Sequence, residues 1–231
     1  MMKKQIINKK DLLGLGPNSK LIKDYKKQWT TLSKIQEETL IGNILGDVYI
    51  KKLKRNKHFL LQFEWKNKAY IEHIVRVFDE YVISPPTLYE RKNHLGNKVI
   101  TWRAQTFEHK AFDKLGYYFM ENHKKIIKPD LVLNYITERS LAYWFMDDGG
   151  KWDYNKKTKN KSLVLHTQGF KKEEVEILIN DLNIKFNLNC SIKFNKNKPI
   201  IYIPNKDYEL FYNLVNPYII PEMKYKLLFN V

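Results

Sequence analysis

The feature that most constrains this chain is a segment that occurs twice. Leu40-Ile-Gly-Asn-Ile-Leu-Gly-Asp-Val48 and Leu141-Ala-Tyr-Trp-Phe-Met-Asp-Asp-Gly-Gly150 share an apolar body that closes on an aspartate. Leu40 to Leu141 is 101 residues, and Asp47 to Asp148 is 101 again. A repeat at a fixed offset implies a duplicated architecture and precedes any other reading. Each copy reads as a helix with an acid at its end. Unpaired carbonyls gather at a helix C-terminus, and the negative end of the dipole adds to a carboxylate there. Such a corner suits a cation. Taken singly, an Asp-Asp-Gly-Gly after a helix is more often a capped turn. The twin is what favours the cation.

Gly42 and Gly46 are four residues apart and therefore share one face of the first helix. A face of small residues lets another backbone approach closely. The matching positions of the second helix are Tyr143 and Asp147, whose bulk would fill the room. The pattern predicts two helices side by side that deliver Asp47 and Asp148 to one spot. The competing reading is a pair of ordinary core helices with solvated terminal acids.

The rest of the chain follows the repeat. Ser33 and Gln36 fit a capping box that starts the first helix, and Thr137 is the expected N-cap of the second. Tyr49–Lys52 with Phe59–Phe63 reads as a hairpin, as does Leu88–Lys92 with Val99–Arg103. Trp152–Tyr154 with Ser162–Thr167 and Cys190–Asn195 with Pro199–Ile203 repeat them. Helical spacing appears at Ile71, Ile74 and Phe78, at Ala111, Phe112, Leu115 and Phe119, and again at Val175, Leu178 and Leu182. A last helix carries Tyr208, Phe211, Tyr212 and Val215. Each half is then helix, hairpin, helix, hairpin, helix: an α+β chain with a basic arm (1–30) and two halves (31–135 and 136–231).

The net charge of +16 on 231 residues calls for a polyanionic partner, nucleic acid first. No apolar run approaches the roughly 18 residues that span a bilayer, so no membrane role is expected. The single cysteine, Cys190, excludes an internal disulfide and a cysteine-rich zinc site. The first ten residues lack both a signal-peptide apolar core and a transit peptide's arginine and serine. Lysine outnumbers arginine 36 to 5, a bias of A/T-rich coding. Together these suggest a protein encoded in an A/T-rich genome such as an organelle's, with no import signal evident.

Basic and polar side chains crowd the hairpins. The candidate DNA contacts are Lys51, Lys52 and Arg55 in the first, and Arg91, Asn93, His94, Arg103 and Gln105 in the second. Trp152, Asp153, Tyr154, Lys156 and Lys161 follow in the third, then Lys193, Asn195, Lys196, Lys198 and Tyr202 in the fourth. Asn18, Lys20 and Lys23 belong to the arm, read as a loop leading towards the partner, with a solvated basic tail as the alternative. Two-stranded ribbons fit the major groove. One hairpin alone reads as solvated surface; four favour a binding face.

The paired segments resemble the LAGLIDADG motif. Leu141-Ala142 and Asp148-Gly149 match it in one copy, and Leu40, Gly42, Ile44 and Asp47 in the other. Val48 replaces the final glycine, and Asp147 replaces the small residue before the acid. The chain is thus similar to the single-chain, two-motif LAGLIDADG homing endonucleases. The resemblance implies a pseudo-twofold duplicated αββαββα fold, with two saddle-shaped antiparallel sheets and a central pair of packed helices. It implies a monomer, without an obligate protein partner, that cuts a long double-stranded DNA site to short 3′ overhangs and so serves intron homing. An intron-RNA maturase on the same scaffold is the alternative.

Phosphodiester hydrolysis of this kind suits Mg²⁺, an oxygen-seeking ion that accepts one or two carboxylates plus substrate phosphate. Mn²⁺ is expected to substitute, and Ca²⁺ to bind without supporting cleavage. Asp47 and Asp148 are the expected ligands, with the carbonyls of Gly46 and Asp147 as helpers. Two acids brought together repel unless a divalent ion sits between them, so metal and DNA are expected to bind cooperatively. Lys125 and Lys226 each lie 78 residues beyond their aspartates. They are candidates to polarise water or offset phosphorane charge, a role the resemblance supports, against a plain backbone-contact or surface lysine. Glu64 and its repeat partner Gln168 are candidates for ordering water. His58, His94, His109 and His166 read as contact or surface residues.

Overall fold

A computed structural model describes residues 6–16, 18–55, 57–93, 95–152 and 160–227. After a 3-10 turn at Lys9–Leu12 come α1 (Lys20–Lys26), α2 (Lys34–Leu45), β1 (Tyr49–Lys51), β2 (Leu60–Trp65) and α3 (Lys68–Val77). Then follow β3 (Thr87–Lys92), β4 (Lys98–Gln105) and α4 (Asp113–Phe119). A short hairpin of β5 (Met120–Glu121) and β6 (Lys124–Lys125) leads to α5 (Leu131–Tyr135) and α6 (Glu138–Asp148). The order then runs β7 (Gly149–Lys151), β8 (Leu163–Leu165), α7 (Lys172–Phe186), β9 (Ser191–Asn195), β10 (Lys198–Ile203) and α8 (Tyr208–Val215). A 3-10 turn at Pro221–Lys226 comes last.

Contacts group Met1–Gln36 with Val48–Tyr118 in one compact unit, and Glu37–Asp47 with Phe119–Val231 in another. The body of α2 therefore belongs with the second unit, so this division cuts across the halves that the repeat suggests.

In the first unit the sheet order is β1-β2-β4-β3, antiparallel throughout. Along β2, Leu61, Phe63 and Trp65 are buried while Gln62 and Glu64 face outward, the period of two that a half-buried strand requires. Phe63 stacks on Trp65 and on Phe78 with 5.9 Å between ring centroids in each pair. Asn67 caps α3 by accepting the Tyr70 N–H at 3.1 Å, and Tyr70, Ile71 and Ile74 bury their side chains. The capping box forms as read: Ser33 Oγ accepts the Gln36 N–H at 3.3 Å, and Gln36 Oε1 accepts the Ser33 N–H at 3.0 Å.

The arm departs from expectation. It is no plain loop or solvated tail: Leu12, Ile22 and Tyr25 are buried, with Ile7, Trp29, Ile83 and Phe107 packed around them. His109 donates to the Lys26 carbonyl at 3.1 Å and fixes the end of α1. Ile22 and Tyr25 are three apart and share a helical face, an apolar stripe that the surrounding lysines conceal.

In the second unit the sheet order is β7-β8-β10-β9, the same order at the repeat-equivalent strands. α7 lies on β9 and β10 and buries Val175, Leu178 and Leu182. The β9–β10 turn uses Lys196 and Asn197, both at positive φ (49° and 61°), as a tight hairpin demands. The third hairpin starts earlier than the Trp152 the sequence suggests. Gly149, Gly150 and Lys151 already pair with Leu165, Val164 and Leu163. A side chain at Gly149 would overlap the Phe145 ring, so glycine there lets the chain pass from helix to strand without a turn. The fold is thus a duplicated α+β fold with two antiparallel sheets and packed helices. No helix among the described residues is long and apolar enough to cross a membrane.

Candidate functional site

The second unit holds α2 and α6 side by side. A Cβ at Gly42 would strike the Ser140 carbonyl and the Tyr143 Cβ, and one at Gly46 would strike the Asp147 side chain. The helices therefore meet over the glycine face, against the partners that the repeat suggested. Asp147 uses the room at Gly46: its Oδ2 accepts from Asn43 Nδ2 at 3.0 Å and from the Asp47 N–H at 3.1 Å. Near the helix starts, Arg139 Nε lies 3.2 Å from Glu38 Oε2, so the two helices run the same way and end together. Thr137 caps α6 as expected, accepting the Ser140 N–H at 3.3 Å.

The acids gather at those ends. Asp148 is the last residue of α6, and Asp47 follows α2 by two residues. Burial first, then the charge of Asp47, pushes the Asp148 carboxyl up to about 7, while Lys125 and Lys226 pull it down. Lys125 Nζ donates to the Gly46 carbonyl at 2.7 Å. Lys226 Nζ donates to the Met146 carbonyl at 2.5 Å and the Asp147 carbonyl at 3.1 Å. Burial lowers both lysines, and the nearby aspartates offset part of that. Each lysine therefore sits on the terminal carbonyls of its own repeat's helix, where the dipole favours positive charge. Gly46 and Asp147, expected to lend carbonyls to a metal, lend them to these lysines; each oxygen retains a second lone pair.

A cavity of about 700 Å³ opens at this corner, lined by Gly46, Lys125, Asp148, His166, Lys171 and Glu174 among others. His166, read from the sequence as contact or surface, is in its wall. Its backbone N–H donates to the Asp148 carbonyl at 2.9 Å, and its ring Nδ1 lies 3.2 Å from Gln168 Nε2. Burial, and then the Lys226 charge, lowers the His166 pKa, which favours the neutral ring. The signal was the register of β7 on β8, which sets His166 beside Asp148 once the strand is started at Gly149.

Among the described residues no cluster of three or more His, Cys, Asp or Glu groups is placed for a metal ion. Mg²⁺ does not require one, because waters and substrate phosphate complete its shell. The pair fits such an ion chemically: a cation would relieve the burial and repulsion that hold Asp148 up near 7.

Glu64 lies on β2, in the first unit. Its Oε2 takes Arg103 Nε at 2.7 Å and Nη2 at 2.6 Å. Its Oε1 takes Thr101 Oγ1 at 2.9 Å and lies 3.5 Å from Arg91 Nε. Burial raises the Glu64 carboxyl, but Arg103, Thr101 and Arg91 together outweigh it and leave its pKa lowered. Strand register sets Lys51, Gln105, Arg103 and Arg91 on that same outward face. Lys52 points elsewhere and donates to the Tyr117 hydroxyl at 2.8 Å. Asn93 makes its own turn, accepting the Leu95 and Asn97 N–H groups at 3.0 and 2.9 Å. Asn18, Lys20, Lys23 and Arg55 are exposed.

In the second sheet Lys193, Asn195, Lys198 and Tyr202 share a face, and Lys196 sits in the turn. Trp152 meets the Tyr202 ring edge-on at 5.5 Å, and Lys193 Nζ lies 5.5 Å from the same ring. Lys161 turns to α8 instead, 3.3 Å from Glu209 and 4.8 Å from the Tyr208 ring. His94, Asp153, Tyr154 and Lys156 lie outside the described residues.

The sequence profile of the LAGLIDADG DNA endonuclease family matches residues 37–211, from the body of α2 into α8. The chain belongs to this family. Its LAGLIDADG helices are α2 and α6. It is similar to a probable intron-encoded DNA endonuclease 3 of Mycosarcoma maydis, 33% identical over 137 residues, which covers 58% of this chain and 97% of the relative. It is also similar to a cytochrome b mRNA maturase bI2 of Debaryomyces hansenii, 26% identical over 205 residues, 85% of this chain and 74% of that one. Among solved structures, it is similar to the N-terminal LAGLIDADG domain of DUF199/WhiA, at 16% identity and a TM-score of 0.47, covering 89% of this chain and 94% of that one.

Proposed function

We propose that this LAGLIDADG protein is a site-specific homing endonuclease. It makes a double-strand break with short 3′ overhangs in a long asymmetric DNA target, acts as a monomer and serves intron mobility in mitochondria. The observation that carries the reading is the acid pair: Asp47 close enough to raise Asp148, at the joined ends of two helices, with a lysine on each. Long stretches such as Gln62–Tyr70 and Ser140–Tyr154 also look close to the yeast mitochondrial omega-intron endonuclease.

Asp47 and Asp148 would hold Mg²⁺, with Mn²⁺ able to replace it and Ca²⁺ binding without turnover. Bound metal supplies Lewis-acid charge relief at the scissile phosphate. Lys125 and Lys226 would offset charge on the phosphorane; their carbonyl contacts, which keep both ammonium groups at the corner, support that role. Gln168, whose amide nitrogen lies 3.2 Å from His166 Nδ1, would order water. Selection of cleaved sites from a randomised DNA pool with Mg²⁺ tests the reading: a single enriched site is expected, and no enrichment would overturn it.

A maturase is the second reading, favoured by the likeness to relatives that carry that name. It needs the basic surface and not the acids. Parent-intron RNA binding that persists without any cutting of DNA would select it.

A further inference from the structure

We propose that Glu64 and Arg103 form one reading unit on the first sheet, in which Glu64 positions Arg103 to recognise a guanine in the target. The inference rests on the endonuclease reading and adds a specificity-determining pair to it. It also replaces the water-ordering role that the sequence suggested for Glu64.

The geometry points there because both oxygens of the carboxylate are engaged by groups of its own sheet face. Arg103 approaches edge-on, giving Nε and Nη2 to one oxygen at 2.7 and 2.6 Å. Thr101 and Arg91 approach the other oxygen at 2.9 and 3.5 Å. Below the guanidinium lies the Tyr89 ring, its centroid 3.3 Å from Arg103 Cζ. The long side chain is thus fixed along one edge by a carboxylate and across one plane by an aromatic ring. That restraint removes rotamer freedom that an arginine otherwise loses on binding.

What remains to donate is the other end of the fork, Nη1 and the outer hydrogen of Nη2. A pair of parallel donors is the complement of guanine O6 and N7 on the major-groove edge. Register keeps the pair in the sheet: Glu64 sits opposite Arg103 on β2 and β4, with Tyr89 opposite Thr101 on β3. An A-form RNA duplex hides that edge in a deep, narrow groove, so the pair suits DNA.

The test is a cleavage profile over all single base-pair substitutions of the site that the wild-type protein selects from the randomised pool. Wild type is expected to prefer guanine at one position by roughly 5- to 150-fold, the span of one bidentate contact. Arg103→Met is expected to flatten that one position. Glu64→Gln is expected to flatten the same position, and the double variant to flatten it no further. An unchanged profile in Glu64→Gln with slower cutting at every sequence would mean that Glu64 serves the chemistry, and would overturn the inference. Flattening at different positions in the two variants would overturn it too. Should Glu64→Gln not fold, Tyr89→Leu, at a partly exposed ring, is expected to flatten the same position, and an intact preference there counts against the pair. Failure of wild type to cut any site would instead sink the endonuclease reading itself.

Discussion

The two copies of the LAGLIDADG motif end differently. Asp47 is exposed beyond the last turn of α2, whereas Asp148 is the half-buried final residue of α6. The residue before the acid is Gly46 in one copy and Asp147 in the other, and these two face each other. Asp147 fills the space that Gly46 leaves, and its carboxylate fastens Asn43 and the backbone of Asp47. Where two copies of a repeat touch, equal bulk on both sides would clash and equal absence would leave a void. The departures from the motif are therefore complementary to one another.

The largest expected effect comes from the acids, which differ in burial but serve one corner. Asp47→Asn and Asp148→Asn should each reduce double-strand cutting by at least about a hundredfold, the scale of losing one transition-state electrostatic contact. Binding, followed by fluorescence anisotropy in Ca²⁺, should persist in both.

The lysines sharpen the difference next. Lys226 holds two carbonyls of α6, and Lys125 holds one, that of Gly46 just past α2. Lys226→Met is expected to slow single-turnover cutting more than Lys125→Met, with losses on the order of ten- to a hundredfold. Equal losses would remove the asymmetry.

At the helix contact, Gly46→Ala should destabilise the fold by about 1–3 kcal/mol through overpacking. Asp147→Ala should cost about 1–3 kcal/mol by leaving its partners unsatisfied. Because both act on one contact, the double variant should cost less than their sum in denaturant unfolding.

A pH dependence, carried by Asp148 alone, comes last. The Asp148 carboxyl is raised to about 7, so the metal-free folded protein keeps a proton that the unfolded chain gives up from about 3.8 upward. Stability should fall as pH rises through that window. Mg²⁺ must displace the proton, so its apparent affinity should weaken below about 7, by at most about tenfold per pH unit. Asp47→Asn should lower the Asp148 titration, followed by carboxyl-carbon NMR.

Much of this was legible because caps, glycine spacing and strand alternation are local signals. Ser33, Thr137, Gly42 and Gly46 each announced their role in the sequence. Other features depended on partners far along the chain. Glu64 gives no hint of Arg103, 39 residues away, until β2 and β4 pair. Nor do Lys125 and Lys226 reveal which carbonyls they hold, since the elements that carry them are too short for periodicity to register. Gly149 reads from the sequence as part of a turn that ends the helix; against Phe145 it is the residue that permits the strand.

The measurement that bears most directly on the shared cation corner is strand-resolved nicking of a selected site by Asp47→Asn and Asp148→Asn. If both acids serve one cation, each variant should lose cutting of both strands. A variant that still cuts one strand at the wild-type rate would show two independent sites and contradict the shared corner.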